Sequence, residues 1–510
     1  MNFREVINRF CTKQPILCTS LVLFPFLALP LFYNLTLHPV FNWDEARQAM
    51  NMLEMAENGN PLVTYFEGAP DHYNTKPPLL IIMQTCVYLI TDHLELSLRL
   101  PSALAGLICC LVLLGFCSHY LKRPLIGGLA ALILVSISGF VELHGTRTGD
   151  YDALITLWIL LFLIQFYLFL EKGLQKHLML FYLFFALGIA TKASVPFLTL
   201  PILLIWTLYK RKLGSILMTR YLYIGLVIPL SMMLLLYPFR ELFDPGYIQS
   251  AWFNDFGGRY GTAIDGHAQP YPYYFKKLWV ERALYFSALF PVFMLIGLIS
   301  KPSQRKNILL FSGLFCVGFI LLISQSVTKI YWYDTPIMPF LALTIAVGVS
   351  MIYTHIKSIK YSKIILIIMT LGLLVVPYLH NATKSIQAKR FSWEGPEYYE
   401  PSLLLKKAIN GEVNLKRHYL LFDNDYYPHY EVYNILLGEK QGYKISYKQY
   451  MSQIGLNDKV IYFQAHRFED SLRTCFKVYL LDSINPHIKM LKVKDLTCQR
   501  AQQTSLDKNP

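Results

Sequence analysis

The sequence is poor in charged residues: only 16% of its 510 residues are Asp, Glu, Lys or Arg, whereas 54% are hydrophobic. A soluble protein of this length needs more polar surface, so this composition excludes a purely soluble globular chain. The apolar residues cluster into runs of roughly 18 or more, which are long enough to cross a bilayer. We therefore predict a polytopic α-helical membrane protein whose immediate partners are membrane lipids.

Several motifs of soluble enzymes are missing. The sequence contains no G-x-x-x-x-G-K-[ST] loop and no dinucleotide-binding glycine fingerprint, which argues against nucleotide-driven chemistry. Most of the nine cysteines lie in apolar runs without metal-ligand spacing,. The formal net charge of +14 comes from short Lys/Arg clusters between apolar runs. Such clusters are typical of cytoplasmic loops, so we predict no nucleic-acid partner.

The apolar runs predict about eleven membrane spans, and marginal segments would raise the number to at most 13. Residues 79–90 are apolar but too short to span comfortably, and are predicted to form a helix in the outer interface. With that segment left out, the short basic loops all fall on the cytoplasmic side, as the positive-inside rule requires. The outer face then carries loops 38–98 and 240–282 and the tail from 381. The predicted spans are 16–37, 99–120, 125–141, 153–170, 178–191, 194–209, 221–239, 283–300, 307–326, 334–354 and 363–380.

An acidic pair follows the first predicted span. Asp44 and Glu45 stand in "FNWDEARQAM", at the start of a segment that can form a helix. A carboxylate at a helix N-terminus is stabilised by the backbone N–H groups and the helix dipole, so Asp44 as a simple cap is one interpretation. The other is an acid that takes part in catalysis at the membrane surface.

The remaining polar residues of the predicted outer face each have an ordinary structural explanation: an interfacial anchor, a helix cap, a salt bridge, a turn or a solvated loop. Taken together they describe one outer pocket that combines carboxylates, cations and an imidazole. Cations can neutralise a leaving phosphate, while a carboxylate orients or deprotonates an acceptor hydroxyl. This set is suited to moving a group from a phosphate-linked lipid. The residues are Lys76, Arg147, Asp150, Asp152, Lys192, Arg259, His267 and Lys329.

The order of these motifs resembles the lipid-dependent glycosyltransferases of the protein O-mannosyltransferase and aminoarabinose (lipid A) transferase superfamily, which have the GT-C fold. The resemblance covers roughly residues 15–380. It lies in the acidic pair, a loop that ends in "DAL", and the stretches "KPPL" (76–79), "RLPSAL" (99–104), "GHAQPYPYY" (266–274) and "TKIYWYDTPIMP" (328–339).

The resemblance implies a role for each matching residue. Asp44 matches the favoured catalytic acid, with Glu45 beside it, and Asp152 matches the acid of the second outer loop. A role near the donor phosphate is implied for Lys76, Lys192, Arg259 and Lys329, and a place in the pocket for His267. From their position in the same loop as Asp152, we also predict that Arg147 binds the donor phosphate and that Asp150 lines the pocket.

A metal is also known in this superfamily. In some aminoarabinose transferases the loop histidine and an acid before the "KPP" lysine bind zinc. Thr75 occupies the position of that acid here. We therefore do not predict a metal or another cofactor, and the resemblance leaves a divalent metal open.

The tail differs from the rest of the chain, because residues 381–510 are polar and lack a spanning run. Segments 418–422, 459–464 and 476–481 are typical of strands, and 428–438 of a helix. We predict a GT-C membrane domain over residues 1–380 and a small extracytoplasmic α/β domain over 381–510. Cys475 and Cys498 flank two segments that would bring them close enough for a disulfide if those segments paired as antiparallel strands.

The leading hypothesis is a glycosyltransferase in the plasma (inner) membrane. It would move a sugar from a polyprenyl-phosphate donor to a glycolipid such as lipid A, a polysaccharide or a protein, by inverting displacement. The alternatives are a flippase for lipid-linked sugars, or a membrane scaffold without catalysis. Transport favours charges near the bilayer midplane and broken, repeated spans, and the sequence shows neither.

Overall fold

The structure is a computed structural model that describes residues 14–142, 144–264, 266–356, 361–387, 396–421, 427–448, 453–463, 476–485 and 488–496. The chain divides into two units. The first contains residues 1–36 and 51–391, and the second contains residues 37–50 and 392–510. The domain boundary predicted at residue 380 lies inside helix Ser362–Gln387.

The first unit is built from apolar helices. Within the described part of the chain, five helical segments are long and apolar enough to cross a membrane: Leu94–His119, Tyr151–Lys172, Arg220–Phe239, Gln304–Ile323 and Thr335–Thr354. Helices Tyr273–Arg282 and Leu284–Ile299 would add a sixth span, although they are bent by 111° at their junction.

Helices also lie at the positions of the other predicted spans. The number of helices that cross the membrane stays a prediction. Residues 79–90, predicted as a short interfacial helix, lie in a 13-residue helix that buries Leu80 and Ile81. The additional helices of this unit include Pro15–Phe32, Leu79–Thr91, Pro124–Ser136, Gln175–Lys192, Leu200–Tyr209 and Ser362–Gln387. Helix Asp44–Asn58 begins in the second unit and ends in the first.

Large apolar side chains cover the outside of several of these helices. A water-soluble protein rarely exposes so large a contiguous apolar surface, whereas a lipid-facing helix must. The exposed side chains recur along helices Arg220–Leu234, Leu289–Ile299 and Ser362–Gln387. Examples that are more than half exposed are Tyr223, Val227, Leu230, Leu234, Leu295, Leu298, Ile367, Ile368 and Leu371.

Small residues and buried ions set the packing inside the unit. A Cβ added at Gly127 would lie 2.6 Å from the Leu114 Cα, so only glycine permits this approach between two helices,. Arg282 and Asp334 form a fully buried ion pair at 2.6 Å. Arg282 also donates hydrogen bonds to the Gly139 carbonyl and the Thr335 hydroxyl, both at 2.8 Å. These bonds satisfy a charge that would otherwise be costly to bury.

Two short strands, β1 (Tyr65–Phe66) and β2 (Ala69–Pro70), pair antiparallel in the first unit. The second unit contains a mixed sheet of five strands: β3 (His418–Leu421), β4 (Ser446–Lys448), β5 (Lys459–Phe463), β6 (Phe476–Asn485) and β7 (Ile488–Leu496). Their order in the sheet is β4-β3-β5-β7-β6. Strand β3 runs parallel to β4 and β5, whereas β7 runs antiparallel to β5 and β6. Its helices are Pro396–Ile409 and Pro428–Gln441. The described part of the tail therefore contains both helices and strands.

The predicted disulfide lies outside the described residues, because neither Cys475 nor Cys498 is among them. The two strands next to these cysteines are antiparallel neighbours, with Phe476 paired to Leu496. The pairing of strands on which the disulfide prediction depended is therefore present, and the bond itself stays a prediction.

Candidate active site

A buried ion pair joins two of the predicted site residues. Asp152 lies in the first turn of helix Tyr151–Lys172, and Lys192 is the last residue of helix Gln175–Lys192. The two helices follow each other in the chain, and the first turn of one meets the last turn of the other. The Lys192 Nζ lies 2.9 Å from the Asp152 Oδ1, and both side chains are at most one-tenth exposed. Such a pair holds both charges in a fixed place.

A small cavity opens beside this pair. Its polar lining includes Asp152, Lys192 and Arg259, three of the residues predicted from the sequence, and two more polar residues, Asp255 and Tyr333. The Lys192 Nζ also lies 4.4 Å from the centre of the Tyr333 ring, a cation–π contact,. The rest of the lining consists of two serines, Ser194 and Ser326, and of the largely apolar residues Val195, Leu198, Tyr260, Phe319, Ile323 and Pro336. Cations in partly apolar surroundings attract an anion more strongly than they would in water.

The segment that carries Lys76 is tied to this cavity by hydrogen bonds. The Thr75 hydroxyl donates to the Asp255 Oδ2 at 2.6 Å, and the Tyr247 hydroxyl donates to the Thr75 carbonyl at 2.8 Å. Asp255 lies on a single π-helical turn, Trp252–Phe256, a local irregularity that is frequent at functional sites,.

A network of polar side chains also holds the segment that carries Lys76. The Asp71 carboxylate accepts bonds from the backbone N–H of Asn74 at 2.9 Å and from the Asn51 side chain at 3.0 Å. Asn74 in turn donates to Asn51 at 2.8 Å and to the Tyr151 hydroxyl at 3.1 Å. The Lys76 Nζ lies 5.5 Å from the centre of the Tyr151 ring. The segment 71–76 is therefore fixed before any ligand binds, as a preorganised site requires.

Lys329 belongs to a loop that pairs with the long loop 254–275. The Lys329 N–H donates to the His267 carbonyl at 3.0 Å, and the Thr328 N–H to the Arg259 carbonyl at 3.1 Å. The Lys329 Nζ donates to the carbonyls of Gln269, at 2.9 Å, and Ser326. Burial of the ammonium group lowers the Lys329 pKa,. The imidazole of His267 is exposed, so the described contact of this residue is through its backbone.

Trp332 and Asp334 fix the other end of that loop. The Trp332 ring stacks on His144 at 3.3 Å between centroids, and Asp334 forms the buried pair with Arg282 described above. Tyr333 lies between Trp332 and Asp334 in sequence, so these two contacts hold its ring in place next to Lys192.

Arg147 ties its loop to the end of helix Pro15–Phe32, and Asp150 holds the loop together from within. The Arg147 guanidinium donates to the carbonyls of Pro30 at 2.9 Å and Tyr33 at 2.8 Å. The Asp150 carboxylate lies 3.0 Å from the His144 Nδ1 and accepts a bond from the Thr148 hydroxyl at 2.6 Å. The role predicted for Arg147 at the donor phosphate stays a prediction.

The acidic pair lies in the second unit, where helix Asp44–Asn58 begins. The Glu45 Oε2 accepts a hydrogen bond from the Phe41 N–H at 2.9 Å, which closes the turn before the helix. Asp44 is half-buried at the first helical position. Trp43, directly before it, has a φ of 63°, a left-handed conformation that is unusual for a large side chain,. The prediction that Asp44, Lys76 and Asp152 face one pocket stays a prediction.

Four residues of this region are not among those predicted from the sequence: Asp255, Tyr333, Tyr247 and His144. The chain has 35 tyrosines, so composition alone could not select two of them. The sequence gives only a weak indication that Asp255 belongs to the site, because it precedes a Gly-Gly pair in the loop that also carries Arg259. His144 stands six residues before Asp150, and this spacing alone does not indicate a functional histidine.

The residues at the zinc positions of some aminoarabinose transferases do not fit a metal in this chain. Thr75 replaces the acid, and its hydroxyl donates to Asp255 instead of offering a charged ligand. The His267 side chain is exposed. No step of the reaction is therefore assigned to a metal at this position.

Comparison with known proteins yields one matching family. The model of the dolichyl-phosphate-mannose-protein mannosyltransferase family matches residues 75–237. The chain is also 27% identical over 263 residues to an undecaprenyl phosphate-α-4-amino-4-deoxy-L-arabinose arabinosyl transferase from Aeromonas salmonicida. This match covers 48% of the chain and 46% of that relative, so the chain spans about half the length of the curated relative it matches.

Solved structures match over nearly the whole chain. ArnT from Cupriavidus metallidurans bound to undecaprenyl phosphate has a TM-score of 0.64 at 14% identity, with 92% of this chain and 97% of ArnT covered. The oligosaccharyltransferase AglB from Archaeoglobus fulgidus, in complex with an inhibitory peptide and a dolichol-phosphate, has a TM-score of 0.55 at 10% identity, with 94% and 74% covered. These likenesses define the class of fold, a GT-C membrane protein. The family model matches residues 75–237, which lie within the region where the sequence shows its resemblance to the protein O-mannosyltransferase and aminoarabinose transferase superfamily.

Three of the cations predicted to lie near the donor phosphate give a direct prediction. Replacing Lys76, Arg259 or Lys329 singly with Met should raise the concentration of lipid-phosphate donor needed for half-maximal turnover. If each cation binds the donor phosphate as predicted, its replacement removes a charge-assisted hydrogen bond, which typically contributes about 1.5–3 kcal/mol. Titration of the donor at fixed acceptor measures this. A matched control is Lys277→Met, because Lys277 forms an exposed pair with Glu281. Unchanged donor dependence in all three variants would remove these residues from the phosphate site.

Proposed function

We propose that this protein transfers a sugar from a polyprenyl-phosphate donor to an acceptor at the outer surface of the membrane. The observation that carries the proposal is the cavity that Lys192 and Arg259 share with two carboxylates in an otherwise apolar, lipid-exposed helical unit. The relatives support the choice of donor, because one is named for an undecaprenyl-phosphate sugar and two similar structures contain a polyprenyl phosphate.

The proposed reaction is a single inverting displacement. The acceptor oxygen attacks the anomeric carbon of the sugar, and the bond from that carbon to the phosphate oxygen breaks. The electron pair leaves with the phosphate, whose charge the cations of the cavity stabilise. The proton of the acceptor passes to a carboxylate, for which Asp44 is the proposed residue and Asp152 with Lys192 a supporting pair.

The acceptor is a glycolipid such as lipid A, a polysaccharide or a protein. Envelope extracts from cells that lack the gene, compared with cells in which it is restored, should differ by one sugar on one acceptor class. Mass spectrometry of glycolipids and glycoproteins measures this difference. Identical glycan profiles in both extracts would contradict the proposal.

The proposed location is the plasma (inner) membrane, with loops 38–98 and 240–282 and the tail on the extracytoplasmic side. Impermeant thiol reagents applied from outside should label single cysteines placed at 45–75, 255–270 or 400–500. They should not label cysteines at 210–216 or 303–306, which lie in basic loops. External labelling at 210–216 would overturn the proposed location of the site.

A flippase for lipid-linked sugars is the second candidate function. Transporters place ionisable groups near the bilayer midplane, often on discontinuous helices. The ion pair of Asp152 and Lys192 instead lies at the ends of its two helices. This placement favours chemistry near a membrane surface over passage through the bilayer.

A further inference from the structure

The segment that leads to Asp44 is held by the C-terminal part of the chain. Within the second unit, the backbone N–H of Val40 donates to the Tyr433 hydroxyl at 2.9 Å. The His429 Nδ1 lies 2.8 Å from the Asn42 Oδ1. Because an amide oxygen can only accept, the histidine is the donor. All four residues are buried, so neither bond is exchanged freely for one with water,.

Both partners come from one helix. His429 and Tyr433 are four residues apart on Pro428–Gln441, so they lie on the same face one turn apart,. They are 387 and 393 residues away in sequence from Asn42 and Val40. Their hydrogen bonds therefore fix the acidic segment at two points, two residues apart.

The turn between these anchors and the helix is constrained from within as well. His38 stacks on Phe41 at 4.2 Å between ring centroids, and the Phe41 N–H is bound by the Glu45 carboxylate. Trp43 adopts its left-handed φ of 63° inside this turn. A conformation of this kind persists only where the surroundings over-determine it, and such conformations cluster at functional sites.

We propose that His429 and Tyr433 are positioning residues that fix the orientation of Asp44. This inference rests on the proposed function, in which Asp44 is the catalytic carboxylate. The C-terminal α/β unit is then part of the catalytic apparatus: it sets the path of the chain over residues 38–45, so that the Asp44 carboxylate is presented at the first turn of its helix. A unit that only covered the site or selected the acceptor would not require these two bonds.

The first test compares two changes from tyrosine to phenylalanine. Tyr433→Phe removes the acceptor of the Val40 N–H. Its matched control, Tyr447→Phe, removes a hydroxyl bonded at 3.0 Å to Glu431 of the same helix, away from the acidic segment. Because a misplacement of 1 Å can reduce a rate by about 100-fold, we expect Tyr433→Phe to lower kcat roughly 10-fold. The KM for the lipid-linked donor should stay within about twofold, since the donor contacts are unchanged. Tyr447→Phe should retain the kcat of the unmodified protein.

The second test uses His429. His429→Ala removes the donor to Asn42 and should lower kcat, while His429→Gln retains an N–H donor and should recover most of the loss. Thermal unfolding in detergent separates positioning from folding, because the variants should remain folded at the assay temperature. Equal loss in the Ala and Gln variants would contradict a role through this hydrogen bond.

Hydrogen–deuterium exchange gives a readout that does not depend on activity. Peptides covering residues 38–45 should exchange roughly 10-fold faster in Tyr433→Phe than in Tyr447→Phe, because local opening becomes easier. Unchanged exchange in Tyr433→Phe would overturn the positioning proposal whatever the activity. Faster exchange in a protein that transfers no sugar even without substitution would instead refute the proposed function and leave the structural link intact.

Discussion

Replacing Asp44 with Asn is expected to abolish sugar transfer while leaving the amount of folded protein nearly unchanged. The two side chains have almost the same shape, and Asn can also cap a helix, so a purely structural role should survive the change. Loss of a general base typically lowers a rate by about 100- to 10,000-fold. Initial rates with a polyprenyl-phosphate sugar, together with thermal unfolding in detergent, measure both parts of the prediction.

The matched control is Asp92→Asn. Asp92 is exposed and ends helix Leu79–Thr91 with a φ of 48°, a conformation that Asn tolerates well,. The substitution Asp92→Asn makes the same chemical change on the same predicted face of the membrane, and it should leave sugar transfer intact. Near-normal turnover of Asp44→Asn would show that Asp44 is only a cap, and the catalytic carboxylate would have to be sought elsewhere.

Replacing Lys192 with Met is the second large expected effect. The substitution leaves the Asp152 carboxylate buried without its ion-pair partner, a change that typically costs about 3–5 kcal/mol of stability,. We expect a clear fall in the unfolding temperature in detergent, together with loss of transfer. The single variant alone does not distinguish instability from lost chemistry.

The double variant Asp152→Asn with Lys192→Met makes that distinction. Removing both charges eliminates the uncompensated carboxylate, so most of the lost stability should return. Transfer should stay lost, because the cavity has lost both a cation and a carboxylate. If the double variant regains turnover along with stability, the pair is structural and has no part in the reaction.

The sequence predicts the helical segments of the first unit because each must satisfy its backbone within a bilayer, which forces long apolar runs. It also predicts Asp152 and Lys192 as site residues, since a charge at the end of an apolar helix requires a partner. The sequence does not predict which charged residues form a pair, because this depends on how the helices pack against each other. Arg147 illustrates the limit: its guanidinium binds the Pro30 and Tyr33 carbonyls, and backbone acceptors leave no trace in a sequence.

In the tail, too, local elements are predictable from the sequence, whereas contacts between distant residues are not. Its strands follow from alternating apolar residues, and the segment predicted as a helix over 428–438 forms Pro428–Gln441. The order of the sheet was not predictable, because β3 pairs in parallel with both β4 and β5, and such pairing depends on distant contacts,. The link from His429 to Asn42 spans 387 residues and has no local pattern at all.

The most direct test of the proposed function is performed on purified protein in detergent micelles. With a polyprenyl-phosphate sugar and a glycolipid, polysaccharide or peptide acceptor, a transferase releases free polyprenyl phosphate and glycosylates one acceptor, in the absence of any bilayer or compartment. We expect both products with the unmodified protein and neither with Asp44→Asn. An intact donor after incubation with every acceptor class, combined with movement of the same donor across the bilayer of proteoliposomes, would contradict the transferase and establish the flippase.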